Sequence, residues 1–150
     1  METECLLEKS GLNTAEIEAV EAKLLEQPQV ECPLDHWFAP GVYIRQVTMP
    51  KDSVVIGHQH KTAHFNIVTK GHASVYMDGE LHDIKAPCTF VSNPGVRKIL
   101  YMHEDTVWQT VHPTNETDLL KLEEELITKS EGFQIHQELI EQLKLKGESK

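Results

Sequence analysis

Three histidines, His58, His60 and His64, lie close together in the middle of the chain. His58 and His60 are two residues apart, so on a β-strand both imidazoles would point to the same face. Residues 61–63 could turn the chain so that His64 returns beside them. Three converging neutral imidazoles suit Zn²⁺, Fe²⁺, Mn²⁺, Ni²⁺ or Cu²⁺ and are too rich in nitrogen for Ca²⁺ or Mg²⁺. The alternative is a set of stray surface histidines, because an HxH pair alone is a weak signal.

Three more histidines and one arginine are further candidates for such a site. His72, His103 and His112 could each add to it, but histidines near strand ends are commonly solvated. Arg45 lies in an apolar segment, and a guanidinium that faces inward there requires an anionic partner. The alternative is a rim arginine paired with a surface acid. The sequence contains no GxSxG motif and no phosphate-binding loop, so covalent nucleophilic catalysis has no support.

The segment that carries these residues has the character of β-strands. Between Pro40 and Pro113 no helical period persists, and Val, Ile, Tyr, Phe and Thr occur in short runs broken by turn residues. Asp78-Gly79 is a strong hairpin signal. We predict strands over residues 42–48, 53–60, 65–69, 73–77, 81–84, 89–92, 97–102 and 107–112. Short strands without intervening helices indicate a sandwich or barrel, and a small barrel can hold one ligand or ion.

The two flanks differ from this middle segment in periodicity and charge. Apolar residues at helical spacing predict helices over about residues 14–26, 119–129 and 133–143. Eight acids and seven bases leave residues 28–113 with a charge of only −1, so most of the acidity lies in the flanks. The predicted organisation is an N-terminal helical arm over 1–35, a barrel over 36–113 and a C-terminal helical extension over 114–150.

Composition excludes several classes of function. The 150 residues carry 14 basic and 24 acidic side chains, and the formal charge of −10 would repel nucleic-acid phosphates. No apolar run approaches the ~18 residues that span a membrane, and the acidic N-terminus does not resemble a secretory signal. Cys5, Cys32 and Cys88 are too few for a disulfide framework. We therefore expect a cytoplasmic protein with no nucleic-acid or membrane partner.

The histidine segment resembles the first motif of the cupin family. In that motif an HxH pair is followed after three or four residues by Glu, and after six more by Gly. Here the series is His58, His60, His64 and Gly71, so a histidine stands at the glutamate position. The resemblance implies a mainly β fold, a cupin-type double-stranded β-helix barrel over about residues 36–113 with helices on both sides.

The second cupin motif is matched less well. Gly95 fits the inner glycine, but Lys98 stands where the family has a ligand histidine. A protonated lysine beside a dication would be repelled, since both are positive. Four alternatives follow: Lys98 points away, it is neutral, it meets an anionic substrate, or the site holds no metal.

The resemblance implies a metal-binding protein. A divalent transition metal (Fe, Zn, Mn or Ni) would lie on His58, His60 and His64, with Lys98 and Arg45 binding a small anionic substrate. One hypothesis is a metal-dependent enzyme; the alternative is a non-catalytic barrel that binds a small molecule or a protein. Whether the protein is an enzyme stays open. A third hypothesis is an interaction protein that docks a partner through its acidic helices.

Two further implications come from the same resemblance. The segments 40–45 and 105–114 resemble small cupin-like proteins of bacteriophages, a group with no function to carry over. Under the non-catalytic alternative, such a phage protein would act on a host factor in the host cytoplasm. Barrels of the cupin family frequently dimerise, and exposed edge strands need covering, so we expect a homodimer.

Overall fold

The computed structural model describes residues 31–128 without a gap, and also residues 19, 21–23, 25–26, 138–139 and 142. The chain divides into two compact units: residues 1–11 with 30–128, and residues 12–29 with 129–150. In the second unit, residues 19, 21–23, 25, 138–139 and 142 are helical, as predicted; the rest of the helices predicted over 14–26 and 133–143 lies outside the described residues. Within the described part of the chain, no helix is long and apolar enough to cross a membrane.

The first unit consists mainly of short β-strands, as the alternation of apolar and polar residues predicts. Ten strands precede a single helix, α1 (Leu119–Leu126), in the continuous range 31–128. A short strand, β11 (Ile127–Thr128), follows that helix. The ten strands are β1 (Leu34–Ala39), β2 (Val42–Met49), β3 (Val54–Ile56), β4 (Gln59–His60), β5 (His64–Lys70), β6 (His72–Met77), β7 (Glu80–Lys85), β8 (Cys88–Ser92), β9 (Ile99–Met102) and β10 (Thr106–His112).

The strands form two larger sheets and one ribbon. A five-stranded sheet has the order β1-β2-β10-β5-β8, a four-stranded sheet has the order β3-β9-β6-β7, and β11 pairs with β4. All of these pairings are antiparallel. The mainly β prediction and the double-stranded β-helix are therefore confirmed.

Three local predictions need correction. The strand predicted over 53–60 is broken at Gly57 and His58, because β3 pairs with β9 whereas β4 pairs with β11 on another ribbon. The predicted list omits β1, whose mixed sequence LDHWFA lacks clear alternation. The helix predicted to end near Lys129 ends at Leu126, where the chain enters β11.

The hydrophobic core lies between the two larger sheets. Val68 and Trp108 contribute from the five-stranded sheet, while Ala73, Val75 and Met102 contribute from the four-stranded sheet. Each of these side chains is at most 3% exposed. Along β10 burial alternates strictly, which shows that every second residue of this strand faces inward.

Helix α1 is fixed against one end of the barrel. The Asp118 carboxylate caps it by accepting hydrogen bonds from the backbone N–H groups of Leu120 and Lys121. Leu122 and Leu126 are buried against Tyr43 of β2. The backbone N–H of Lys61 donates to the carbonyl of Leu126 at 2.7 Å. These contacts hold α1 beside the segment that carries the predicted metal ligands.

The glycine at the end of the first cupin-like motif gives a test of the fold. Gly71 has φ +98°, and a Cβ there would lie 2.5 Å from the Asp105 carbonyl oxygen, whereas Gly79 has φ +76° and open space around it. We expect Gly79→Ala to cost about 1–2 kcal/mol of backbone strain. Gly71→Ala should cost at least ~2 kcal/mol more, measured by urea unfolding. Equal losses would contradict the role of close packing at Gly71.

Candidate functional site

The inner face of the five-stranded sheet carries its polar residues in two neighbouring rows. One row joins Tyr43 to His112 across β2 and β10, and His64 to Ser92 across β5 and β8. The next row runs from Arg45 through Thr110 to Asn66. A third row is mainly apolar and contains Val47, Trp108 and Val68. The strand register therefore places histidine, cationic and apolar rows side by side within the barrel.

His60, His64 and His112 meet at the end of this inner face. Their ring centroids are 4.2 Å apart for His60 and His64, 5.0 Å for His64 and His112, and 5.6 Å for His60 and His112. Each histidine comes from a different strand, β4, β5 and β10. We call these three residues the histidine cluster.

The structure redistributes the histidines that the sequence singled out. His60 and His64 are brought together. His58, in the loop between β3 and β4, lines one cavity together with His60. Of the three further candidates, His112 joins the histidine cluster from the end of β10, where the strand register places it beside His64. The role of His58 as a metal ligand stays a prediction.

Two other candidate histidines lie in a separate group. The rings of His72 and His103 are 4.5 Å apart. His72 pairs with Asp83, and Ser74 shares a hydrogen bond with His103 at 2.7 Å. On β6, Ala73 and Val75 point into the core. His72 and Ser74 alternate with them along the strand and therefore lie on the opposite face of the four-stranded sheet.

Each ring of the histidine cluster has a buried nitrogen without a hydrogen-bond partner: Nδ1 of His60, Nε2 of His64 and Nδ1 of His112. The Nδ1–H of His64 donates to the Thr62 carbonyl at 3.2 Å, which leaves Nε2 with its lone pair. The other nitrogen of His112 shares a hydrogen bond with the Thr110 hydroxyl at 2.9 Å. Backbone and side-chain contacts thus fix two of the three rings.

The histidine cluster is neutral at physiological pH. Burial, followed by the nearby charges of His64 and Lys98, lowers the pKa of His60 to about 2. Burial and the proximity of His64 and Arg45 lower the pKa of His112 to about 4. Burial also lowers the pKa of His64, against the opposing effect of the Thr62 carbonyl.

Lys98 is a buried cation in the same cavity. The residue is 7% exposed, and burial lowers its pKa to about 8 against the opposing effect of the Asp78 carboxylate. Two backbone hydrogen bonds join the segment that contains Lys98 to its neighbours: Gly57 N–H donates to the Lys98 carbonyl at 2.9 Å, and Gly95 N–H donates to the His60 carbonyl at 2.9 Å. Lys98 lines the same cavity as His60, and its charge contributes to the lowered pKa of that histidine.

Arg45 faces inward and adds a second positive charge. It lies between His36 and Thr110 in the strand register and lines the cavity. Burial lowers its pKa, whereas the nearby Tyr43 and Glu123 oppose that shift. The sequence alternative of a rim arginine is therefore replaced by an inward-facing one.

The cavity between these groups has a volume of about 490 Å³. Lys98, Arg45, Glu123 and the histidines His58, His60 and His112 line it together with many apolar side chains. Its apolar lining includes Met49, Leu100 and Trp108 from the barrel and Leu119, Leu122 and Leu126 from α1. A volume of this size is in the usual range of small-molecule sites.

The donor set of the histidine cluster fits a divalent transition metal. Three neutral imidazoles, each with a buried unpaired nitrogen, are the ligands that such ions prefer. As the side chains stand in the described residues, however, no group of three or more His, Cys, Asp or Glu is arranged to hold a metal ion. The metal is therefore a proposal and not an observed feature.

Comparisons with known proteins agree with this architecture. The sequence profile of the AraC-like ligand-binding domain matches residues 40–147. No curated protein matches this chain.

Solved structures are similar in fold. KdgF from Halomonas sp. is 15% identical with a TM-score of 0.51, and the match covers 61% of this chain and 88% of that one. The plu4264 protein from Photorhabdus luminescens is 14% identical with a TM-score of 0.51, covering 64% and 86%. Salicylate 1,2-dioxygenase from Pseudoaminobacter salicylatoxidans, solved as adducts with gentisate, is 17% identical with a TM-score of 0.55, covering 75% and 34%. These identities show a shared fold alone.

The neutral cluster predicts a loss of stability in acid. Above pH 6.5 neither the folded nor the unfolded chain protonates His60 or His112. Below pH 6.5 these histidines take up protons in the unfolded chain. In the folded chain they are not protonated until the pH approaches about 4 for His112 and about 2 for His60. At pH 5 each histidine should cost the metal-free protein about 1–2 kcal/mol.

His112→Phe tests this expectation by removing one of these groups. The free energy of unfolding, measured in urea with EDTA at pH 7.5 and pH 5, should then fall by about 1–2 kcal/mol less than in the parent protein. Circular dichroism at pH 7.5 controls for folding. An unchanged pH dependence would refute the assignment of His112 as a histidine held neutral by burial.

Proposed function

This chain belongs to the AraC-like ligand-binding domain family, and on that premise we propose that its barrel binds a small molecule with one anionic group and an apolar body. The anionic group lies against Lys98 and Arg45, and the apolar body lies against the core side of the cavity. The small anionic ligand that the sequence predicts on Lys98 and Arg45 is therefore part of this proposal.

The observation that carries the proposal is the burial of Lys98 without a salt bridge. The residue is 7% exposed, yet no Asp or Glu oxygen of the described residues lies within ion-pair distance of Nζ. A buried charge without a salt bridge is costly, and the Asp78 carboxylate acts on Lys98 only from beyond that distance. A lysine with a pKa of about 8 still carries its proton at pH 7. An anionic ligand would supply the missing partner and offset that cost.

The rest of the cavity determines what else such a ligand contains. Arg45 offers a planar guanidinium that can bind a carboxylate through two hydrogen bonds. Beyond the polar rows, Trp108, Leu100 and Met49 supply apolar surface for the body of the ligand. The combination favours a monocarboxylate with an aliphatic or aromatic body over a highly charged molecule such as a nucleotide.

A transition metal is a second component that the histidines support. His60, His64 and His112 would hold it through the unpaired nitrogens, with His58, the predicted ligand, lining the same cavity. The Thr62 carbonyl orients His64 for this task, because it fixes the tautomer with Nε2 as the free lone pair. Such an ion would supply Lewis acidity to a bound ligand. An anion beside it would also screen the positive charge of Lys98.

Binding is the role that we propose first, and catalysis is the second candidate. The family description concerns ligand binding, and two cations beside an apolar cavity are sufficient for that role. The observation that favours catalysis is the histidine cluster, since three neutral imidazoles leave room for an open metal position. The cytoplasmic location, the action on a phage host factor and the third hypothesis of acidic docking helices stay predictions.

Anion binding is tested by comparing carboxylates with their amides. We expect aliphatic or aromatic monocarboxylates to raise the melting temperature and to bind in calorimetry, while the matching uncharged amides do not. Lys98→Met should weaken carboxylate binding about tenfold to a hundredfold, because it removes a charge-assisted hydrogen bond. Lys70→Met, at the exposed end of β5, is the matched control. Equal binding of acids and amides would rule out the anionic site.

Metal binding is tested separately, by elemental analysis after reconstitution with Zn²⁺, Mn²⁺, Fe²⁺ or Ni²⁺. The wild type should retain about one equivalent, and His60→Ala or His64→Ala should lose it. His58→Ala and His112→Ala decide which of the two is the third ligand. His82→Ala on β7, outside the cavity, serves as the control. A wild type that retains no metal would remove the metal from the proposal and leave the anion site standing.

A further inference from the structure

Lys98 lies on the inner side of the barrel, next to apolar residues. It directly precedes β9, where Leu100 and Met102 point into the core. Because side chains alternate along a strand, Lys98 shares the side of Leu100. Both residues line the cavity together with Val55, which pairs with Leu100 across β3 and β9. The side chain of Lys98 is therefore placed in a cavity with a largely apolar lining.

Burial without a salt bridge changes the chemistry that is open to this amine. Apolar surroundings disfavour the ammonium relative to the neutral amine, so burial lowers the pKa of Lys98 to about 8. At pH 7 about one molecule in ten then carries the free amine at Lys98. For a lysine with the usual pKa of 10.5 the fraction is roughly one in three thousand. A desolvated free amine is a nucleophile.

Arg45 supplies a permanent positive charge for an acidic group of the ligand. It faces inward from β2, level with Thr110 of β10, and lines the same cavity as Lys98. Burial lowers the pKa of Arg45, but from a usual value of 12.5, and the nearby Tyr43 and Glu123 oppose that shift. The guanidinium therefore keeps its charge at neutral pH. The cavity thus combines a fixed cation with an amine that can react.

We propose that Lys98 forms an imine with the carbonyl group of an oxo acid whose carboxylate is held by Arg45. This inference rests on the anion site of the proposed function and adds a covalent step to it. Nζ of the free amine bonds to the carbonyl carbon, and the carbonyl oxygen leaves as water with the two protons of the amine. Both bonds of the new C=N group use electron pairs of Nζ, so no oxidant or reductant takes part.

The burial that disfavours the ammonium favours the imine. A neutral imine has no charge to desolvate, whereas an ammonium without a salt bridge is costly in an apolar cavity. Because Lys98 is only 7% exposed, little water reaches the imine to hydrolyse it. A carboxylate held by Arg45 keeps the carbonyl carbon in the cavity and raises its effective concentration near the amine. Burial and carboxylate binding therefore favour the same product.

The cavity also limits the character of the oxo acid. Its volume of about 490 Å³ accommodates an aliphatic or aromatic body. A carbonyl compound with many hydroxyl groups would leave them unpaired against Met49, Leu100 and Trp108. Phenylpyruvate has a ketone, one carboxylate and an aromatic body, and is therefore a suitable probe. Phenylacetone has a methyl group in place of its carboxylate, and phenylpropionate has a methylene group in place of its ketone.

Reductive trapping tests the imine. The full chain is treated at pH 7 with phenylpyruvate and cyanoborohydride, which reduces an imine to a stable secondary amine, and peptide mass spectrometry locates the adduct. Lys98 should be labelled about tenfold to a hundredfold faster than the exposed Lys70, Lys85 and Lys121 of the same sample. Lys98→Arg should lose this adduct, and Lys70→Arg should retain it. The wild type alone locates the adduct, so the outcome does not depend on the folding of a variant. Labelling of Lys98 no faster than that of the exposed lysines would overturn the proposal.

The two analogues separate this inference from the anion site on which it rests. Phenylacetone should label Lys98 at least about tenfold more slowly than phenylpyruvate, and Arg45→Met should lower the phenylpyruvate rate to about that of phenylacetone. Equal rates for the two ketones in the wild type would overturn the role of Arg45. Phenylpropionate should bind without an adduct and slow the labelling by phenylpyruvate. Binding of phenylpropionate with no trapping of phenylpyruvate would overturn the imine and leave the proposed function standing.

Discussion

The alternation of side chains along the strands of the five-stranded sheet is the constraint on which the rest of this protein depends. Because successive residues face opposite sides, the chain neighbours Val111 and His112 lie on opposite faces of the sheet. His112 is 1% exposed and lines the cavity, whereas Val111 is partly exposed on the outer face of the sheet. A shift of one residue in the pairing would turn His64, Asn66 and Val68 outward and bring Phe65 into the barrel. The register thus maintains the candidate site.

The cavity is lined by two cations, Lys98 and Arg45, although the chain as a whole is negatively charged. A protein with ten excess negative charges encloses Lys98 and Arg45 in an apolar pocket, while its acids lie mainly in the flanking segments. Burial keeps the histidines neutral, so their free nitrogens are available as ligands or hydrogen-bond acceptors. The cost of these buried polar groups is a general signature of a functional site, because an apolar core of the same shape would be more stable.

The sequence predicted the barrel well and the site in part. Period-two runs, turn residues and the HxH segment were local signals, and they located most strands to within two residues. His60 and His64 lie close together in the chain, so their meeting follows from one turn. His112 follows His64 by 48 positions, and its place beside that ring depends on β10 pairing with β5. Likewise, the place of the Lys98 segment depends on the backbone hydrogen bonds that join it to Gly57 and His60.

The sequence by itself determined the fold class, the neutral histidine-rich middle and the pair His60 and His64, because these features are encoded in spacings of a few residues. Only the tertiary structure decided which faces are shared by distant segments. It placed His112 in the cluster, placed His72 and His103 in a separate group and turned Arg45 inward. The physical reason is that strand order and register are set by burial summed over the whole sheet, which no local pattern contains.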